Sequence, residues 1–136
     1  MKLLNNIDDI LAIHDKAFED VDVPEWGCAV RVAVMSGVDR DGWELSMMTI
    51  DKSGKDTSLN TSGLSRANLI SRCIVDEDFN RLFVTDEQIK ALSNKSAVVL
   101  DRLYEVAQRI NKISDDDIEE LEKNSPTAQN GDSGSS

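Results

Sequence analysis

The residues best placed to do chemistry lie between positions 76 and 87. Asp76-x-Asp78-x-Asn80 sets side-chain oxygens at positions 1, 3 and 5 of a calcium-binding EF loop, and Glu87 falls at position 12, where a bidentate glutamate closes the coordination shell. Two positions depart from that pattern. Arg81 stands at position 6, where the loop needs glycine for its sharp turn, and Val84 at position 9 carries no side-chain oxygen. The chain also holds one such loop, whereas EF loops usually work in pairs. A solvated acidic turn accounts for the same residues. No metal and no cofactor is therefore the main expectation, with calcium on Asp76, Asp78, Asn80 and Glu87 as the alternative.

Nucleophilic and zinc chemistry find less support. His14, Cys28 and Cys73 share no metal-ligand spacing. Cys28 falls in the valine-rich face of a strand pattern and Cys73 in the apolar pattern of a helix, so both are expected in the core. His14 is expected at an exposed helix end. Asp8/Asp9 and Asp115/Asp116/Asp117 open helical segments, where carboxylates partner the helix dipole in solvent and do not act as acid–base pairs. GxSxG, HExxH and a glycine-rich phosphate loop are missing from the sequence. The expectation is a binding protein, not an enzyme, with no catalytic residues.

Composition narrows the class of partner. The 136 residues carry 26 acids against 15 bases, a formal charge of −11. That excess opposes binding to nucleic acid phosphates or to an anionic membrane surface. No apolar run approaches the ~18 residues of a membrane span, and Met1-Lys2-Leu3-Leu4-Asn5-Asn6 lacks the apolar stretch of a signal peptide. A cytosolic chain with reduced thiols is expected. The last 22 residues hold seven of the acids and one base. Ser125–Ser136 contains one alanine and no larger aliphatic or aromatic side chain, too little to offset the entropy of ordering it. The reading is one domain over 1–123 and a disordered polar tail over 124–136.

The elements that must position these residues follow from periodicity. Ile7–Ile13 reads as a short helix capped by Asn6. Val21 and Val23 alternate with Asp20 and Asp22, and Cys28, Val30, Val32 and Val34 alternate with Ala29, Arg31 and Ala33, which predicts two half-buried strands. Pro24-Glu25-Trp26-Gly27 supplies the turn of the hairpin. Ser36 caps a helix whose apolar positions are Val38, Trp43, Leu45, Met47 and Met48. A polar loop covers 51–63, and a helix carries Leu64, Ala67, Leu69, Ile70 and Cys73. Ile74-Val75 and Leu82-Phe83-Val84 then predict a second small hairpin or tight loop. Thr85 caps a helix through Leu92, Ser96 opens the longest helix, and Ser114 with Asp117 caps an acidic terminal helix. The fold class is α+β: an N-terminal β-hairpin packed against a helical majority.

Candidate partner-binding surfaces are the edge of the hairpin, with Trp26 at the tip of its turn, the polar loop over 51–63, and the terminal helix with Ile118, Leu121 and Glu122. A short amphipathic helix is a common docking element, while packing of Ile118 and Leu121 back on the domain is the competing expectation.

Several segments, taken in order, resemble one protein family. They are Val21-Asp22-Val23-Pro24-Glu25-Trp26-Gly27 with Val30-Arg31-Val32, Ser36-Gly37-Val38-Asp39-Arg40-Asp41, Val75-Asp76-Glu77-Asp78 with Arg81-Leu82-Phe83, Ala91-Leu92-Ser93-Asn94-Lys95-Ser96, Leu100-Asp101-Arg102-Leu103 and Ser114–Ser125. The series, over roughly residues 7–125, resembles the tail assembly chaperones of long, non-contractile-tailed (lambda-like) bacteriophages and prophages. The resemblance implies a protein of the host bacterial cytoplasm that binds the tape measure protein, keeps it soluble and helps recruit tail tube subunits, and that is absent from the mature virion. It also implies a homo-oligomer in rings or a spiral array, and association with a longer form made by programmed ribosomal frameshifting. On that reading the Asp76 segment is a hairpin turn.

Overall fold

A computed structural model describes residues 1–48 and 64–123. The expected loop over 51–63 and the expected tail over 124–136 lie outside the described residues. The architecture is α+β. Helix α1 (Ile7–Leu11) precedes a hairpin of β1 (Phe18–Val23) and β2 (Cys28–Ala33). Then come α2 (Gly37–Met48), α3 (Ser65–Ser71), the two-residue β3 (Ile74–Val75), α4 (Asp86–Ser93), α5 (Ala97–Asn111) and α6 (Asp115–Lys123). The sheet has the order β1-β2-β3 and is antiparallel throughout.

The hairpin forms where alternation predicts it. Val21 and Val23 are buried while Asp20 and Asp22 are on the outside. Pro24–Trp26 makes one 3₁₀ turn that ends on Gly27 at φ 69°, a backbone conformation that glycine takes without steric cost. Val21 pairs with Val30 and Val23 with Cys28. Helix α5 lies across the inner face of β1 and β2, with α3 packed on α5 and α4, and α2 on α3 and α6. The core between these layers includes Val23, Val32, Trp43, Leu69, Ile70, Ile74, Val99 and Leu103.

A buried amide ties the layers together. Met35 N–H donates to Asn111 Oδ1 at 2.8 Å, and Asn111 Nδ2 donates to Ala107 O at 2.8 Å and toward Cys73 Sγ at 3.4 Å. Asn111 ends α5, so one side chain satisfies the chain leaving the sheet and the last turn of the longest helix.

Helix α2 departs from its expected face. Trp43 and Met47, four residues apart, are buried, whereas Val38 and Leu45 are 78% and 63% exposed. Val38 and Leu45 lie seven residues apart on one stripe, and at about 100° per residue that stripe sits well round the helix from Trp43. The apolar positions of α2 thus mark two faces, and one of them meets α3 and α6. Gly42 has a packing role within this helix: a Cβ there would come within 3.0 Å of the Arg72 guanidinium.

Of the second small hairpin or tight loop expected over 74–84, the structure has the tight loop: Leu82-Phe83-Val84 forms no strand, and the pairing with β3 is a single antiparallel bridge, Val75 to Arg81. The Gln88 side chain accepts from Val84 N–H at 2.8 Å and Thr85 N–H at 3.0 Å, so the capping box of α4 uses the groups a strand would need. Cys28, expected in the core, is exposed, because it opens β2 beyond the end of the two-residue β3. Cys73 is buried as expected, and burial pushes its thiol up to about 12 against the opposing Asn111 hydrogen bond. It is therefore held as an unreactive thiol.

Candidate functional site

The 76–87 segment is organised from within. Asp76 Oδ1 accepts from Asp78 N–H at 2.8 Å and Asn80 N–H at 3.0 Å, and Asp76 N–H donates to Asn80 O at 2.9 Å. Phe79 at φ 65° completes this tight turn. Arg81, where a calcium loop needs glycine, turns its guanidinium onto Ser71 O and Phe83 O and lies 3.6 Å from Asp39. Glu87 sits apart in the exposed first turn of α4. Among the described residues no three His, Cys, Asp or Glu side chains gather as metal ligands, so the structure does not bring Asp76, Asp78 and Glu87 together. The calcium alternative loses its geometry.

This turn instead forms one wall of a groove. The groove is an open concavity of about 480 Å³ whose lining includes Trp26, Val30, Ile74, Leu82 and Phe83. Cys28, Ala29 and Val75 add to the floor, and Asp76 and Glu77 stand on the rim. It exists because β3 is so short. Arg31 pairs with Val75 and Val32 with Ile74, and the chain then turns away at Asp76, so among the described residues no strand pairs with Val30, Ala29 and Cys28 on the β3 side.

Backbone register adds a second feature. Val34 N–H donates to Ala17 O, toward β1, and Ala33 N–H donates to Cys73 O, toward β3. Alternation in an antiparallel ladder then aims the N–H and C=O of Ala29, like those of Arg31 and Ala33, at the β3 side. Ala29 therefore presents an open strand edge to the groove, the kind of edge that an extended segment of another chain can join.

Both ends of the groove are pinned by arginine–carboxylate forks. At the turn, Arg102 of α5 binds Glu25 through two hydrogen bonds of 2.8 and 2.7 Å. The Arg102 fork holds the Glu25 carboxyl down at about 2. This locks the Pro24–Trp26 turn onto α5, with half-buried Trp26 at the groove end. At the other end Arg31 binds Asp20 at 2.8 and 3.0 Å and lies over the Phe18 ring at 4.1 Å. Hydrogen bonding to Arg31 lowers the Asp20 pKa and raises that of Arg31. Phe79 meets Phe18 edge-on at 5.3 Å, and the exposed His14 meets Phe79 at 4.6 Å.

The candidate partner residues fare differently. Trp26 lines the groove. Ile118 is in the core at 9% exposure and Leu121 is half-buried against it, because α6 packs on α2. Glu122 is exposed on α6 and stands away from the groove lining. The hairpin edge was a candidate binding surface on sequence grounds, and Ala29 lies on it, whereas sequence reasoning missed Leu82 and Phe83, since a groove wall has no periodic pattern. It also missed the N-terminal arm. There Leu3, Leu4, Ile7, Ile10, Leu11 and Ile13 are all exposed, and the doublet Leu3-Leu4 beside a helix of five residues was the available signal. Neither family models, nor curated proteins, nor solved structures give a match to this chain.

Proposed function

We propose that this chain is a holding protein, a tail assembly chaperone of the kind its sequence resembles, which binds apolar segments of another polypeptide and keeps it soluble. The client on this reading is the tape measure protein in the host bacterial cytoplasm, with tail tube subunits recruited afterwards. The single observation that carries the reading is the pinned apolar groove beside the open edge at Ala29. Hydrocarbon floor, free backbone groups and a fixed shape suit capture of a chain segment better than turnover of a small molecule. The charge of −11 on the whole chain keeps such a protein, and whatever it coats, from collapsing into aggregates.

The test is co-expression with a tape measure protein of a long-tailed phage. The wild type is expected to raise the soluble fraction of the client several-fold. Leu82→Asp sets a carboxylate on the groove wall at a site already 51% exposed, so the fold is retained and the client returns to the insoluble fraction. An unchanged client solubility with wild-type protein overturns the reading.

A further inference from the structure

The open edge has an outer face as well as an apolar inner one, and the outer face is acidic. Val21 and Val23 point inward from β1, so Asp20 and Asp22 stand on the outside of the sheet. Asp22 pairs across the hairpin with Ala29, the residue at the open edge. Asp20, Asp22, Asp76 and Glu77 surround this edge, against one guanidinium, that of Arg31. Arg31 is held by Asp20, and Asp76 Oδ1 is taken by N–H groups of its own turn. Asp22 and Glu77 make no salt bridge among the described residues. Ala29 is exposed and small, so its side chain leaves a clear path from the edge to Asp22.

Sheet geometry turns this into a pattern. A segment continuing the line of β3 runs antiparallel to β2, and one of its residues falls opposite Ala29 in the kind of pair that Val75 makes with Arg31. The side chain of that residue stands on the outer face with Ala29, and its two neighbours point inward, toward Val30, Ile74, Leu82 and Phe83. Asp22 then lies two strand spacings away, about 10 Å, a gap that a lysine stem and an aspartate together bridge.

We propose that the groove takes an extended client segment in which one lysine or arginine stands between two aliphatic residues. This rests on the reading of the groove as a docking site and names what the site recognises. The central residue exchanges two backbone hydrogen bonds with Ala29 and lays its cation over Ala29 toward Asp22 and Glu77. The flanking aliphatic side chains settle on Val30, Leu82 and Phe83. Asp22 is thus a specificity residue outside the apolar groove. The contact is small, so binding is weak, and it weakens further with salt as the charges are screened.

The experiment is fluorescence polarisation of the full chain with labelled short peptides that differ only at the core. The cores are valine–lysine–valine, valine–glutamate–valine, and the first again with its lysine methylated on the backbone nitrogen. Asp22→Lys and Leu82→Ser change exposed positions, and circular dichroism confirms that each variant folds. The wild type is expected to bind the lysine core roughly tenfold more tightly than the glutamate core. Backbone methylation is expected to weaken the lysine core about tenfold, because its hydrogen bond to Ala29 O is gone. Asp22→Lys is expected to remove the preference for lysine although the chain as a whole stays acidic, and Leu82→Ser to weaken both unmethylated cores. Equal binding of the lysine and glutamate cores, a methylated core that binds like its parent, or a preference that survives Asp22→Lys overturns the inference. So does a wild type that binds none of the cores. A wild type that still raises client solubility while any of these holds sinks this inference alone, and failure in both experiments sinks the docking role as well.

Discussion

Helices α1 and α6 start alike and end in opposite situations. Each is short, each opens on aspartates, and each is capped by the residue before it. Asn6 accepts from Asp8 N–H at 2.9 Å. Ser114 and Asp117 cap reciprocally, with Asp117 N–H donating to Ser114 Oγ at 3.0 Å and Ser114 N–H to Asp117 Oδ2 at 2.9 Å. Yet α6 buries Ile118 against the core while α1 buries nothing. Local rules start both helices, but among the described residues α6 packs its apolar stripe on α2 while α1 buries none of its residues.

The largest effect expected from this contrast is at Ile118. Ile118→Ala removes a buried aliphatic group and is expected to cost about 2–5 kcal/mol of stability by denaturant titration. The matching change in the arm, Ile10→Asp, is expected to stay within about 0.5 kcal/mol, since Ile10 is already 52% exposed. Equal losses at the two positions would break the contrast. Removing the caps sharpens it at smaller scale. Ser114→Ala is expected to cost roughly 0.5–2 kcal/mol globally, whereas Asn6→Ala loosens α1 alone. Amide exchange separates the two, with α1 exchanging near open-chain rates in the wild type already.

Acid should act on the same contrast with the smallest effect. The Ser114 hydrogen bonds hold the Asp117 carboxyl below its ordinary 3.8, and Arg102 holds Glu25 down from 4.5 to about 2. A carboxylate with a depressed folded pKa stabilises the fold above its unfolded value and loses that contribution as pH falls through the folded one. The α6 cap and the turn-to-α5 fork should therefore weaken between about pH 4.5 and 2. The α1 cap rests on an asparagine, which has no proton to gain in that range. Helix signals resolved by residue in an acid titration by NMR check this, and an α1 cap that weakens in step with α6 would refute it.

Much of the fold was legible in the chain. Alternation in Val21/Val23 and Val30/Val32 gave the hairpin, Gly27 its turn, and the Thr85/Gln88 and Ser114/Asp117 pairs gave two helix starts to the residue. These are local matters: a period, a φ angle, a side chain that reaches a backbone N–H within four residues. The candidate site was far less legible. Trp26 was placed at the turn, but the groove it closes depends on β3 stopping after two residues and on Arg31 and Arg102 forking onto carboxylates 11 and 77 residues away.

The sequence by itself determined which segments are helix or strand, where they begin, and that the surface is acidic. It did so because hydrophobic period and capping chemistry act within a few residues. Tertiary structure decided which apolar faces are used up and which stay open. Trp43 and Ile118 went inside, Val38 and the arm stayed out, and Cys28 and Ala29 lie on β2 beyond the end of β3. Burial depends on whether another element arrives to cover a face, and that follows from the path of the whole chain.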